Sequence, residues 1–176
     1  MRQKDIKNKI REHFFLNPTL KLRVRQLERN VKIPLPSAIH YARELEREGF
    51  LKREEIGGVI LYSADRTSNL FLLEKKLYNI KALYDSNFIE FLRLTYHNPL
   101  AVVFGSYSRG EDIETSDIDI YIELPKKSKI DAQRFGELLQ RPIQFFISKN
   151  LKAFSNTHLA NNIVNWIVLN GQFEVF

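Results

Sequence analysis

The 176-residue chain has no cysteine. That absence excludes a disulfide framework and any thiolate metal site, and a reducing compartment is expected. Long apolar runs are also missing: none approaches the roughly 18 residues that a membrane span needs. The N-terminus, "MRQKDIKNKIREHF", is charged throughout and does not read as a signal peptide. A cytoplasmic location with no membrane partner is therefore expected. What is present, 44% hydrophobic and 27% charged residues, is the composition of a folded globular protein and not of a disordered one. The length allows two small cores.

The net charge of +6 is unevenly placed. Residues 1–66 carry 15 Lys and Arg against 9 Asp and Glu, whereas residues 67–176 carry 12 of each. A basic module joined to a neutral one points to a polyanion as partner of the first. A Lys/Arg-rich solvated face on a small helical module would give the same count.

Within the first third, Ile6, Ile10 and Phe14 recur at helical spacing, and Asn17-Pro18 ends that helix. Leu22, Leu27 and Val31 read as a short second helix closed by "KIPLPS". Pro36 fits the first turn of a third helix, which runs to about Glu48. The spacing predicts Ile39, Ala42 and Leu45 on its buried side, with Ser37, His40, Arg43, Glu44 and Arg47 opposite. Gly49 stops this helix, and "FLKREEIGGVILYSA" follows as two strand-like runs about Gly57-Gly58, a two-residue hairpin signal.

Three helices and a hairpin over residues 1–66 resemble a winged helix-turn-helix domain, with "LEREGFLKRE" as the turn from third helix into wing. The resemblance implies a third helix in the major groove and a wing against the phosphate backbone of double-stranded DNA. Ser37, His40, Arg43 and Arg47 would then face bases or phosphates, and Lys52 and Arg53 the backbone. A winged helix used for protein contacts or homodimerisation is the competing reading, and Glu44 on the exposed face would repel phosphate.

Residues 67–85 read as a helical connector, with Leu70, Leu73, Leu77 and Ile80 on one stripe. Asp85 and Ser86 are helix-start residues for a second helix bearing Phe88, Phe91, Leu92 and Thr95.

The chemistry concentrates in "VVFGSYSRGEDIETSDIDIYIEL", Val102 to Leu124. "LAVVF" is a continuously apolar run that fits a buried strand. Gly105 permits a sharp exit and close approach of another group. Ser106 adds a hydroxyl there, and Arg109 a charge suited to phosphate. In "SDIDIYIEL", Ile118, Ile120, Ile122 and Leu124 share one face, and Asp117, Asp119, Tyr121 and Glu123 the other. Two carboxylates so placed raise the cost of ionising each other, and a hard cation removes that penalty. Mg²⁺, which completes its shell with phosphate oxygens and waters, suits such a pair. An acidic, solvated strand edge would be the bland alternative, but Asp is depleted in strands.

Gly105-Ser106, Arg109-Gly110 and Ser116-Asp117-Ile118-Asp119 resemble the signature of the DNA polymerase beta nucleotidyltransferase superfamily, in its minimal archaeal and bacterial branch. The resemblance covers residues 86–176 and includes a C-terminal "VLNG" segment. It implies an α/β (α+β) fold, a mixed sheet flanked by helices behind the winged helix-turn-helix. It also implies Mg²⁺-dependent (or Mn²⁺-dependent) transfer of NMP from an NTP to an acceptor hydroxyl. Asp117 and Asp119 would be shared metal ligands in a two-metal site. Gly105 and Ser106 would hold the β- and γ-phosphates, Arg109 would assist the leaving pyrophosphate, and Ser116 would join the nucleotide-binding set.

One departure matters. Such enzymes present a third carboxylate on a later strand, and the position aligned with it in "RPIQFFIS" is Gln144. An amide can offer oxygen to a cation but cannot take a proton. Two readings follow: a transferase with a DNA-binding module, or a catalytically weak transferase fold acting as a nucleotide-responsive DNA-binding transcriptional regulator.

Overall fold

The apolar spacing of Ile6, Ile10 and Phe14 forms the inner face of α1 (Gln3–Leu16), which stops one residue short of Asn17-Pro18. The computed structural model describes residues 3–125, 129–153 and 157–173. The chain divides into two units, residues 1–75 and 76–176.

In the first unit, α1 is followed by α2 (Val24–Val31), α3 (Leu35–Arg47), β1 (Leu51–Ile56) and β2 (Val59–Ala64). Pro36 lies in the first turn of α3, as its missing N–H allows. β1 and β2 pair antiparallel in register from Leu51 with Ala64 to Ile56 with Val59. The turn uses Gly57 and Gly58 at φ +58° and +74°, which only residues tolerant of positive φ adopt cheaply. Leu22 adds backbone bonds of 2.8 Å in both directions with Tyr62, so the segment before α2 docks on the hairpin. Phe15, Phe50 and Phe71 close the core with ring centroids 5.1–5.8 Å apart.

Two expected faces differ from those found. The buried series of α3 is Ala38, Tyr41, Ala42 and Leu45, and Ile39 is 36% exposed. Successive steps of three drift around a helix of 3.6 residues per turn, whereas steps of three and four alternate along one face. In α4 (Asn69–Asp85) the buried series is Phe71, Lys75, Asn79 and Leu83; of the predicted stripe Leu73 and Leu77 are exposed, whereas Leu70 is partly covered and Ile80 packs against the core. Burial of Asn79 is tolerated because its amide is bonded, which removes the desolvation penalty that sequence hydrophobicity would assign to it.

The second unit contains α5 (Phe88–Thr95), β3 (Ala101–Phe104), α6 (Gly105–Arg109), β4 (Ile118–Glu123), α7 (Gln133–Leu139), β5 (Ile143–Ser148), α8 (Thr157–Val164) and β6 (Ile167–Asn170). The sheet order is β5-β4-β3-β6; β3 runs antiparallel to β4 and β6, and β5 runs parallel to β4 with α7 in the crossover. The sheet is therefore mixed and carries helices, as expected. Ile118, Ile120 and Ile122 pack on one face with Phe88, Leu92 and Phe135. Tyr121, Val102 and Phe104 pack on the other with Ile163 and Trp166. Among the described residues no helix is long and apolar enough to cross a membrane.

A buried polar group ties α4 to the segment after β3. The Asn79 amide donates to the Tyr107 carbonyl at 2.9 Å and to Asp112 Oδ1 at 2.7 Å. Arg141 Nε lies 3.7 Å from Asp112 Oδ2, and Asn79 and Asp112 are 2% and 1% exposed. Replacing Asn79 with Leu removes a donor from a carboxylate that has no route to water, so unfolding free energy should fall by about 1–3 kcal/mol. Urea denaturation checks this; an unchanged midpoint would show that the amide adds nothing net.

Candidate functional site

β3 ends at Phe104, which lies opposite Asp119 in the antiparallel register. The next residue, Gly105, therefore arrives beside the Asp119 side chain. A Cβ at Gly105 would stand 2.2 Å from Asp119 Oδ2 and 3.2 Å from its Cγ, and the backbone there has φ +73°. Two independent constraints thus require glycine: no space for a methyl, and a conformation that L side chains disfavour. The chain does not leave β3 in an open turn but enters α6 directly. Ser108 Oγ donates to the Gly105 carbonyl at 2.8 Å, and Gly110, at φ +74°, closes this short helix.

Asp117 precedes β4 and is exposed, whereas Asp119 is the second residue of the strand and is half-buried. Buried Ile118 separates them and fixes both at the start of the strand. The Asp119 carboxyl is held above its usual range, first by desolvation and then by the neighbouring Asp117 charge, with Arg109 opposing. Burial and a like charge act in the same direction on Asp119. Hard oxygen donors with such an electrostatic deficit fit a divalent cation of the Mg²⁺ type.

Gln144 lies directly beside Asp119 in the parallel β4–β5 register and is exposed. It is thus the side chain that the neighbouring strand contributes at this level. Among the described residues no group of three or more Asp, Glu, His or Cys is placed to hold a metal. Glu123 faces away from this role: it accepts from Tyr121 Oη at 2.8 Å, farther along β4.

Arg109 Nε donates to Glu111 Oε2 at 2.6 Å, and its guanidinium lies over the Trp166 ring at 5.3 Å from the centroid. The stacking of Trp166 on Arg109 is a contact between segments far apart in sequence, which spacing cannot reveal. Ser116 Oγ accepts from the Ile113 backbone N–H at 2.9 Å and so shapes the turn that delivers Asp117. The Ser106 carbonyl caps the end of α6 by accepting from Glu111 N–H at 3.0 Å.

In the first unit, His40, Arg43 and Arg47 lie exposed on α3, while Ser37 is partly covered. With Arg53 of β1 they form one face: His40, Arg43, Arg47 and Arg53 line a groove together with Ile39, Glu46, Ile60 and Tyr62. Lys52 is not part of it. Alternation along β1 turns Lys52 to the opposite side of the hairpin, where it lies 3.3 Å from Glu54. Glu44, the expected repulsive charge, is neutralised by Lys7 of α1 at 2.6 Å, a contact that also holds the Glu44 carboxyl below its ordinary range.

Two outcomes follow for the metal-free protein. Gly105→Ala should destabilise by more than about 1 kcal/mol from its positive φ alone. Because the added methyl also meets Asp119, combining it with Asp119→Ala should recover part of the loss in a double-mutant cycle; strict additivity would disprove the contact. A carboxyl whose folded pKa is raised binds more protons in the native state, so it lowers stability as pH rises above the ordinary carboxylate value. Asp119→Asn should therefore raise the denaturation midpoint at pH 7, with the gain shrinking as pH falls toward 4, a trend that thermal scans across this range would test.

No curated protein and no solved structure gives a match to the chain. A family model described as nucleotidyltransferase domain matches residues 86–163. That stretch takes in β3, Gly105, both aspartates and Gln144, so the acidic site of the second unit lies within the part of the chain that is similar to this domain.

Proposed function

We propose that the protein is a Mg²⁺-dependent nucleotidyltransferase that moves NMP from an NTP to an acceptor hydroxyl, with the first unit a DNA-binding winged helix-turn-helix. The observation that carries the first part is the Asp119 carboxylate seated against Gly105, partly desolvated and next to the Asp117 charge. The matched nucleotidyltransferase domain supports the reaction class.

In this reading the acceptor oxygen forms a bond to the α-phosphorus, and the bond from that phosphorus to the pyrophosphate oxygen breaks. Mg²⁺ held by Asp117 and Asp119 would supply positive charge that eases hydroxyl deprotonation and offsets the charge of the phosphates. Gly105 leaves room for the carboxylate and for a phosphate to approach the backbone, with Ser106 beside it. Arg109 can exchange Glu111 for a phosphate oxygen, a charge-assisted bond of the same kind. Gln144 can orient a ligand through its amide but cannot accept the hydroxyl proton, which must leave to solvent.

Support for the DNA-binding part comes from the groove of α3 and β1, where three arginines outnumber Glu46, and from the pairing of Glu44 with Lys7, which offsets a nearby acid. Arg43 and Arg47 carry the positive charge of α3 on that face, and Arg53 of β1 adds to it while lying 3.3 Å from Glu55.

Incubation with each α-³²P-labelled NTP, Mg²⁺ or Mn²⁺ and duplex DNA should transfer label to a macromolecule, and Asp117→Ala/Asp119→Ala should abolish it. Gln144→Glu restores a carboxylate beside Asp119 and should raise transfer by about 10²-fold, the usual worth of a positioned base. If neither transfer nor metal affinity responds, Gln144 is not the third position. Loss of transfer with NTP binding intact would leave the nucleotide-responsive regulator as the reading. For DNA, Arg43→Ala and Arg53→Ala should each reduce the slope of log affinity against log salt by about one unit, and Lys52→Ala by less. Equal slopes throughout would direct this face to a protein partner.

A further inference from the structure

The groove of the first unit combines arginines with exposed isoleucines, and charge alone does not account for that mixture. Ile39 is 36% exposed at the N-terminal half of α3, one helical turn before Arg43 and two before Arg47. Ile60 of β2 is 39% exposed on the hairpin face that also carries Arg53. The core has no use for Ile39, because Ala38, Tyr41, Ala42 and Leu45 already fill the buried side of the helix. The groove also holds Glu46, and Glu55 stands opposite Ile60 beside Arg53, yet the arginines remain in excess, so an apolar side chain among them suits a partner that is anionic as a whole and apolar at one spot.

Duplex DNA offers that combination. Its major groove is walled by phosphates, and the apolar group exposed on its floor is the C5-methyl of thymine. In helix-turn-helix readers the N-terminal residues of the recognition helix meet base edges, while more distant residues meet the backbone. On α3 that division assigns Ile39 to a base and leaves Arg43, Arg47 and Arg53 for phosphates. A protein partner with an acidic, amphipathic surface would also cover the isoleucines, but it would not require them to be at the base-facing end of the basic stripe.

We propose that Ile39 makes this groove a reader of the pyrimidine C5-methyl group, so that the first unit prefers duplexes presenting thymine in the major groove. The proposal rests on the DNA-binding reading above and adds a specificity-determining residue to it.

The test uses the full chain and four duplexes of equal length, containing A·T, A·U, G·C or G·5-methylcytosine pairs. Uracil removes the methyl without altering base pairing, and 5-methylcytosine restores it at the equivalent place. Wild-type protein should bind A·T about fourfold more tightly than A·U for each methyl contacted, the burial of one methyl expressed as an affinity ratio. It should likewise prefer G·5-methylcytosine over G·C. Ile39→Ala should erase both preferences while retaining the salt slope, and Ile39→Val should retain part of them. Circular dichroism and the denaturation midpoint confirm that both variants fold. Methyl-independent binding with a normal salt slope would overturn this inference and leave DNA binding standing. Binding to none of the duplexes at low salt would overturn both and point to a protein ligand.

Discussion

A single missing methyl group holds the site together. Phe104 and Asp119 are paired across β3 and β4, so whatever follows Phe104 must share space with the Asp119 carboxylate. Any residue but glycine would push that carboxylate away, through a contact of 2.2 Å, or force the chain out of its positive φ. With glycine there, α6 can begin at once, and its path is then fixed from below by the Asn79 amide bonded to Tyr107 and Asp112. The position of Arg109, Glu111 and the turn before Asp117 all descend from this arrangement. The price is electrostatic: Asp119 sits partly desolvated beside another acid, and both effects raise the cost of ionising it.

The first unit resolves its own charge conflict differently. Its excess of basic residues could have been distributed evenly, but ion pairs sort it. Lys7 lies at 2.6 Å from Glu44 and 2.5 Å from Glu48, Lys21 pairs with Glu54, and Lys52 lies near the same Glu54. These exposed pairs contribute little to stability individually. Their effect is on the field: they offset acids near α3 and occupy cations elsewhere, so that in the groove Arg43, Arg47 and Arg53 outnumber Glu46 even with Arg53 3.3 Å from Glu55.

Much of this was legible in the sequence where the signal is local. The hairpin was readable because Gly57-Gly58 stands between two strand-like runs, and the structure uses both glycines at positive φ. β4 was readable because isoleucines alternate with polar residues, and β5 because "IQFFIS" is apolar and β-prone. The family resemblance aligned Gln144 with a third carboxylate on a later strand, and the register sets it beside Asp119. What escaped was tertiary. Lys7 and Glu44 are 37 residues apart, and no periodicity links them. The buried face of α4 includes Lys75 and Asn79 in preference to Leu73 and Leu77, because bonded polar groups can be buried where hydropathy would not put them. Ile39 escaped for a related reason: a smaller residue, Ala38, lies where the helix packs closest, and spacing cannot rank alanine above isoleucine.

The stack of Arg109 on Trp166 has an optical consequence. The chain has one tryptophan, and its ring lies against the cation that neighbours the acidic pair. Indole emission depends on the charge and solvent near the ring, so light absorbed at the red edge of the spectrum reports on one place in the molecule. Were the guanidinium to leave Glu111 for another partner, the colour and yield of that emission would change with it. The protein thus carries its own fluorophore at the rim of its acidic site, without label or substitution.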